Sequence, residues 1–267
     1  MNKLLDQWRT VLARMEAACV QCNRSPQDVK LLAVSKTVPF ARVAELVRAG
    51  QVDFGENYIQ EAVEKIEAAR LEWSAPKANP SFSRIAPISP NSPLSPLSPL
   101  SPLCPIWHCI GPVQSNKTKW VATHFDWLHT LDRLKIAQRL SEQRPADMPP
   151  LKVLIQVNVD HGQTKSGIPP EEVLTLAKGV MGLPRLSLKG IMTLPDPQPD
   201  PVRQVALHRV GRAVFDLVLK ETGHPGWDTL SMGMTQDLEA AIFAGSTLVR
   251  VGTAIFGARD RTQAQAV

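Results

Sequence analysis

At 267 residues the chain can close one large domain around a sizeable core, so a single domain over residues 1–267 is expected and a small stapled scaffold is excluded. Thirty basic against 25 acidic residues leave a net charge of +5 with no basic run, which gives nucleic acid no electrostatic footprint. Residues 1–9 lack the unbroken apolar core of a signal peptide, no long charge-free apolar span follows, and four cysteines make no disulfide framework; a cytoplasmic chain without a membrane partner is expected.

Leu5, Trp8, Leu12 and Met15 recur at helical spacing and predict an extra amphipathic helix over about residues 2–22. Cys19 and Cys22 have CxxC spacing, and with Cys104, His108 and Cys109 they compose a zinc set on paper. The pair falls near the end of a helical pattern, no second CxxC exists, and Cys104 lies in a proline-rich segment, so no metal site is expected. Next comes Leu31-Leu32-Ala33-Val34-Ser35-Lys36-Thr37-Val38-Pro39, an apolar run that reads as a buried strand ending on a lysine. Lys36 has three readings: a strand-end charge in solvent, a point-charge phosphate binder, or a nucleophile that forms a Schiff base with a carbonyl.

Val43, Leu46 and Val47 share one face of a helix that Gly50 ends. A short second strand over residues 51–57 and a helix with Ile59, Val63 and Ile66 in register follow. Between Pro76 and Pro105 the alternation breaks: Ser-Pro-Leu is repeated four times over residues 92–103, and nine of the 23 prolines are concentrated there. Proline at every third position removes ladder donors, so a polyproline-like or disordered surface insert at 76–105 is expected, within the domain and not between two. Strands three to eight read at 106–111, 126–131, 153–159, 186–192, 229–233 and 247–252. Asp132 is placed to cap the helix after the fourth, Pro169-Pro170-Glu171-Glu172 opens the helix after the fifth, and a long helix over about 201–221 carries Val210, Val214, Leu217 and Val218 on one face.

Eight short strands alternating with helices predict an α/β fold, a single TIM-type (β/α)8 barrel, with an open doubly wound sheet as the alternative. In a barrel the functional residues lie at the carboxyl ends of strands and phosphate is held after strands seven and eight. Ser231-Met232-Gly233-Met234-Thr235 and Arg250-Val251-Gly252-Thr253 stand at those two places, with glycines for close backbone approach and hydroxyls as donors. Arg250 and Gly252, two apart on a strand, project to one side, where the arginine meets either an acidic residue of the barrel or an acceptor on the ligand. A lysine on strand one beside a phosphate site on strands seven and eight suits pyridoxal 5'-phosphate, whose aldehyde and phosphate hang from one small ring.

Ala33-Val34-Ser35-Lys36-Thr37, Phe54-Gly55-Glu56-Asn57-Tyr58, Trp107-His108-Cys109-Ile110-Gly111-Pro112 with Val113-Gln114-Ser115-Asn116-Lys117, Lys165-Ser166-Gly167, Ser231-Met232-Gly233-Met234 and the run 249–257 together resemble the pyridoxal phosphate homeostasis proteins, single barrels related to the amino-terminal domain of alanine racemase. The resemblance covers nearly the whole chain except 76–105. It implies that Lys36 holds pyridoxal 5'-phosphate as a lysine aldimine and that Ser231, Gly252 and Thr253, with Met232 and Gly233 beside them, bind the phosphate. It further implies that Arg250 faces the pyridine nitrogen and that Asn57 lies near the ring. The chain departs from the commonest pattern at Cys109, where an aromatic is usual, at Thr235, where serine is usual, and in the insert.

The implied role is a non-catalytic carrier and regulator of intracellular pyridoxal phosphate and of amino- and keto-acid pools, acting as a monomer with apo pyridoxal phosphate enzymes as partners. The alternative is a racemase of the alanine racemase type. That chemistry takes a second base, a tyrosine from a carboxyl-terminal β domain of a partner subunit. This chain is expected to lack that domain, and its single tyrosine is Tyr58.

Overall fold

Short runs of Leu, Val, Ile and Trp bounded by Gly, Pro and Asp become strands because both faces of each run can be buried in a parallel sheet. The computed structural model describes residues 2–74, 104–160, 162 and 166–258. The expected insert at 76–105 lies outside these residues except for Cys104 and Pro105, and so does Lys165.

Helix α1 (Lys3–Gln21) precedes β1 (Lys30–Val34), α2 (Phe40–Arg48), β2 (Asp53–Glu56) and α3 (Ile59–Ser74). After the insert come β3 (Ile106–Cys109), α4 (Thr118–His124), β4 (Trp127–Leu131), α5 (Leu134–Gln143), β5 (Leu151–Val157), α6 (Val173–Met181) and β6 (Leu186–Thr193). The chain continues with α7 (Pro201–Thr222), β7 (Thr229–Ser231), α8 (Leu238–Phe243), β8 (Leu248–Val251) and α9 (Thr253–Phe256). The eight strands pair in chain order, all parallel, and β8 closes on β1 with Leu32 opposite Arg250 and Ala33 opposite Val251. This is the closed (β/α)8 barrel, not the open sheet.

Alternation along each strand divides the core into two layers. Leu31, Ala33, Phe54, Trp107, Cys109 and Leu128 face outward and pack against the helices. Trp127, Leu154 and Met192, with Ile106 against them, form a separate small cluster. His108, His129, Ser231 and Arg250 are also buried, and they are joined to one another by hydrogen bonds.

Two local expectations are corrected. Asp132 does not cap: α5 begins one residue later than expected, its cap position is Arg133 with no side-chain bond, and the Asp132 carboxylate lies 3.7 Å from Arg133 Nε. In α7 the buried stripe is Gln204, His208, Gly211, Val214, Phe215 and Val218, while Val210 and Leu217 are exposed. The stripe is rotated because His208, polar by type, turns inward to meet Asp237 at 3.0 Å. A buried polar side chain with a partner competes successfully with a valine for the inner face. The ends of α7 follow the sequence closely: Asp200 Oδ1 accepts from the Val202 amide, Pro201 occupies the first turn, and Gly223 adopts φ +58°.

The extra helix α1 buries Leu4, Trp8, Val11, Met15, Ala18 and Cys19. From its outer side Arg14 reaches Glu239 with two bonds of 2.8 and 2.9 Å and donates to the Thr235 carbonyl at 3.1 Å, bracing the loop after β7. Cys19 is packed in this helix interface, and among the described residues no group of His, Cys, Asp and Glu is arranged to hold a metal ion. Among the same residues no helix is long and apolar enough to cross a membrane.

Candidate functional site

The carboxyl-terminal mouth of the barrel opens into a cleft of about 2490 Å³. Lys36, Asn57, Arg250, Gly252 and Thr253 all line it. These five expected residues come from the ends of β1, β2 and β8, as a barrel requires of its functional face.

Lys36 stands on a tightly held piece of backbone. On its amino side, Lys65 Nζ donates to the Ser35 carbonyl at 2.8 Å, and the Ser35 hydroxyl donates to Glu56 Oε1 at 2.7 Å. On its carboxyl side, the Thr37 amide donates to Glu61 Oε1 at 2.7 Å, and Thr37 sits at φ +62°, a left-handed conformation unusual for a β-branched residue. Strain of this kind persists only where the surroundings over-determine it. Here Lys65 ties both halves together, since its ammonium also meets Glu56 Oε1 at 3.0 Å and Glu61 Oε1 at 2.6 Å. Glu56 is fully buried; burial pushes its carboxyl above the ordinary range, against the pull of Lys65 and Ser35, and its Oε2 has no partner among the described residues.

Asn57 follows Glu56 at the end of β2. Its Oδ1 is buried without a hydrogen-bond partner among the described residues, and its backbone is fixed by close approach to Gly111. A Cβ at Gly111 would lie 2.1 Å from the Asn57 carbonyl oxygen. Gly111→Ala is therefore expected to displace the β2–α3 turn, lower stability by about 2 kcal/mol and weaken ligand binding in the cleft, measurable by denaturant titration and by cofactor titration. Unchanged binding in a folded Gly111→Ala protein would remove Asn57 from the site.

On β8, next to β1, Arg250 donates from one terminal nitrogen to Ser231 Oγ at 2.7 Å and from the other to the Thr193 carbonyl at 2.8 Å. Burial pushes its guanidinium down to about 10, with Asp237 acting in the opposite sense. Asp237 itself closes the loop after β7: burial raises its carboxyl, but donation from His208 and from the Met234 amide, at 2.7 Å, outweighs this and leaves it below the usual range.

The three remaining expected residues lie beneath the cleft. Ser231 is fully buried at the end of β7 with its hydroxyl engaged by Arg250 and His129, and the Met232 side chain is buried in the outer core. Gly233, at φ +93°, leaves no room for a side chain, because a Cβ there would lie 2.4 Å from that of Ala241. The next two residues, Met234 and Thr235, are the ones that line the cleft. Sequence reasoning also passed over Lys65, Glu61 and Asp237 in the cleft wall and His129 below it. The Glu61–Lys65 pair at i, i+4 was the one visible signal.

The described residues fit a phosphorylated carbonyl compound. The cleft offers an amine, a buried guanidinium, an unpartnered amide oxygen and the hydroxyls of Thr235 and Thr253.

The sequence profile of the alanine racemase N-terminal domain matches residues 12–260. The chain is 46% identical over 260 residues to the pyridoxal phosphate homeostasis protein of Escherichia coli, covering 97% of this chain and 98% of that protein. It is 47% identical over 261 residues to the protein of the same name in Vibrio cholerae, with the same coverage. The chain belongs to the pyridoxal phosphate homeostasis protein family. Among solved structures, PipY of Synechococcus elongatus with PLP bound superposes with a TM-score of 0.69 at 26% identity, covering 92% of this chain and all of that one. Alanine racemase of Clostridium difficile, 15% identical with a TM-score of 0.67, shares the fold over 97% of this chain and 58% of its own.

The two positions expected to depart from the family's commonest pattern, Cys109 and Thr235, sit in different surroundings. Cys109 is buried in the outer layer, where burial pushes its thiol up to about 12, so it is chemically quiet. Thr235 keeps a hydroxyl at a cleft-lining position.

Proposed function

We propose that the chain binds pyridoxal 5'-phosphate in this cleft and serves as a carrier and regulator of the cofactor, without catalysing a reaction on amino acids. The observation that carries the reading is the convergence of Lys36 on β1 and Arg250 on the adjoining β8 in one cleft, which Asn57, Thr235 and Thr253 also line. The names of the homeostasis relatives and the PLP-bound PipY structure support it.

When bound, the cofactor supplies an aldehyde that condenses with an amine, releasing water, and a ring that can accept electrons. Lys36 Nζ is the amine that would hold the aldehyde. Thr253, Thr235 and the backbone at Gly252 and Met234 would hold the phosphate, with Ser231, Met232 and Gly233 supporting them. Asn57 would lie against the ring. Arg250 would donate to the ring nitrogen, and because a guanidinium has no proton acceptor, that nitrogen would stay unprotonated. An unprotonated ring is a weak electron sink, which would favour holding the cofactor over turning over an amino acid on it. The same reading makes the protein a cytoplasmic monomer that passes the cofactor to apo-enzymes.

In the test, Lys36→Ala is expected to lose the imine absorbance while its unfolding transition stays at the wild-type position. Holo-protein incubated with L-alanine in deuterium oxide is expected to exchange Cα protons no faster than free cofactor does. A yellow adduct of normal intensity in Lys36→Ala would overturn the assignment of Lys36, and exchange well above free cofactor would make the protein an enzyme.

A further inference from the structure

Two histidines lie inside the barrel, and no part of the cleft accounts for them. His108 and His129 are both fully buried, on neighbouring strands β3 and β4. His108 is stacked on Trp127 with ring centroids 5.2 Å apart and 9° between planes, and it meets His129 edge to face. Four hydrogen bonds run through them in a line. Arg250 lies 2.7 Å from Ser231 Oγ, and Ser231 Oγ lies 3.3 Å from His129 Nδ1. His129 Nε2 lies 2.9 Å from His108 Nδ1, and His108 Nε2 lies 2.9 Å from Asp53 Oδ1.

The carboxylate end fixes the direction of the protons when both rings are neutral. A carboxylate only accepts, so His108 carries its proton on Nε2 and donates to Asp53. Its Nδ1 then accepts from His129, which carries its proton on Nε2. His129 Nδ1 in turn accepts from the Ser231 hydroxyl, whose oxygen accepts from the Arg250 guanidinium. The reverse polarity fails at the carboxylate. Burial lowers the basicity of both imidazoles, His129 the more strongly because His108 and Arg250 also oppose a charge there, which keeps both rings in the neutral state the line requires. The charged groups acting on His108 are Asp53, Asp126 and Lys152.

The far end of the line is open. Asp53 lines a second cavity, of about 630 Å³, at the amino-terminal mouth of the barrel, together with Arg24, Lys30, Lys152, Lys189 and Asp228. We propose that Asp53, His108, His129 and Ser231 form a one-directional hydrogen-bond relay through the barrel that positions Arg250 in the cleft and makes the cleft sensitive to the state of Asp53 at the opposite mouth. These four are positioning residues, and the proposal rests on the reading that Arg250 faces the cofactor's ring nitrogen. Each link polarises the next in the same sense, so a change at the carboxylate end reaches the guanidinium without any backbone movement.

The test has two readouts. In cofactor-free wild-type protein, nitrogen NMR of the imidazoles at pH 7.5 is expected to find both His108 and His129 protonated on Nε2 alone. In protein loaded with pyridoxal 5'-phosphate, Asp53→Asn is expected to shift the absorbance of the bound cofactor and to mix the two tautomers. Ser231→Ala, which removes the Arg250 acceptor, is expected to weaken cofactor binding about tenfold. Asp228→Asn, at the same mouth but outside the relay, is expected to change neither readout. A proton on Nδ1 of either histidine in the wild type overturns the relay, and so does an Asp53→Asn protein that matches the wild type in both readouts. Failure of the wild type to take up pyridoxal 5'-phosphate defeats the functional reading instead, and the tautomers of the cofactor-free protein still decide the relay. They decide it equally if a variant fails to fold.

Discussion

Lys65→Ala is expected to cost about 3–5 kcal/mol of folding stability, because it leaves the Glu56 carboxylate buried without its cation. The ammonium and the carboxylate are both buried, 3.0 Å apart, and among the described residues Glu56 retains only the Ser35 hydroxyl once Lys65 is gone. The deficit depends on pH in a definite sense. Burial holds the Glu56 carboxyl above its ordinary value of 4.5, so the folded state binds a proton that the unfolded state has released, and stability falls as pH rises above 4.5 toward the folded value. Removing the cation extends that window upward, so the gap between Lys65→Ala and wild type is expected to widen with pH. Adding Glu56→Gln is expected to recover more than half of the loss in chemical denaturation. Additive losses in the double variant would show that the pair is not the source. Because Lys65 also holds the Ser35 carbonyl and shares Glu61 with the Thr37 amide, the same variant is expected to loosen the backbone on both sides of Lys36.

His129→Gln is expected to remove about 1.4 kcal/mol of pH-dependent stability between pH 7.5 and 5.5. Burial, with His108 and Arg250 adding to it, holds the His129 imidazole well below its ordinary value of 6.5. Below 6.5 the unfolded chain takes up a proton that the folded chain refuses, so folded wild-type protein loses stability as pH falls through that window. Groups away from this ring, including Glu56 with its opposite slope, are common to both proteins, and the difference between the two stability profiles reports His129 together with its bonded neighbour His108. Denaturation profiles that run parallel from pH 7.5 to 5.5 would show that His129 takes up its proton as readily in the folded state as in the unfolded one.

The strands were legible because each is a short apolar run with both faces buried, and even three-residue β7 kept the pattern. The phase of the strands carried less far. Ser231 reads as a phosphate donor because it stands at the carboxyl end of a strand, yet its hydroxyl turns down toward His129 and Arg250, so the cleft-lining hydroxyl of that loop belongs to Thr235. Which way a strand-end side chain turns is set by partners on other strands, here β4 and β8, and these have no local sequence signature. Asp132 failed as a cap because α5 begins one residue later than expected. His108 drew attention as a metal ligand beside two cysteines. In the barrel Cys109 faces the outer layer and His108 bonds His129 and Asp53, a partnership that only closure of the sheet creates. Lys36, Asn57, Arg250, Gly252 and Thr253 were legible because a barrel sends strand ends to one face whatever the details of the loops.

Lys36 is the residue proposed to carry the cofactor. Wild-type protein loaded with pyridoxal 5'-phosphate, reduced with borohydride, digested and mapped by mass spectrometry tests it most directly. A single stoichiometric pyridoxyl adduct on the peptide containing Lys36, absent from Lys36→Ala, is the predicted result. Adducts scattered over surface lysines, or a stoichiometric adduct that survives in Lys36→Ala, would rule Lys36 out as the cofactor's anchor.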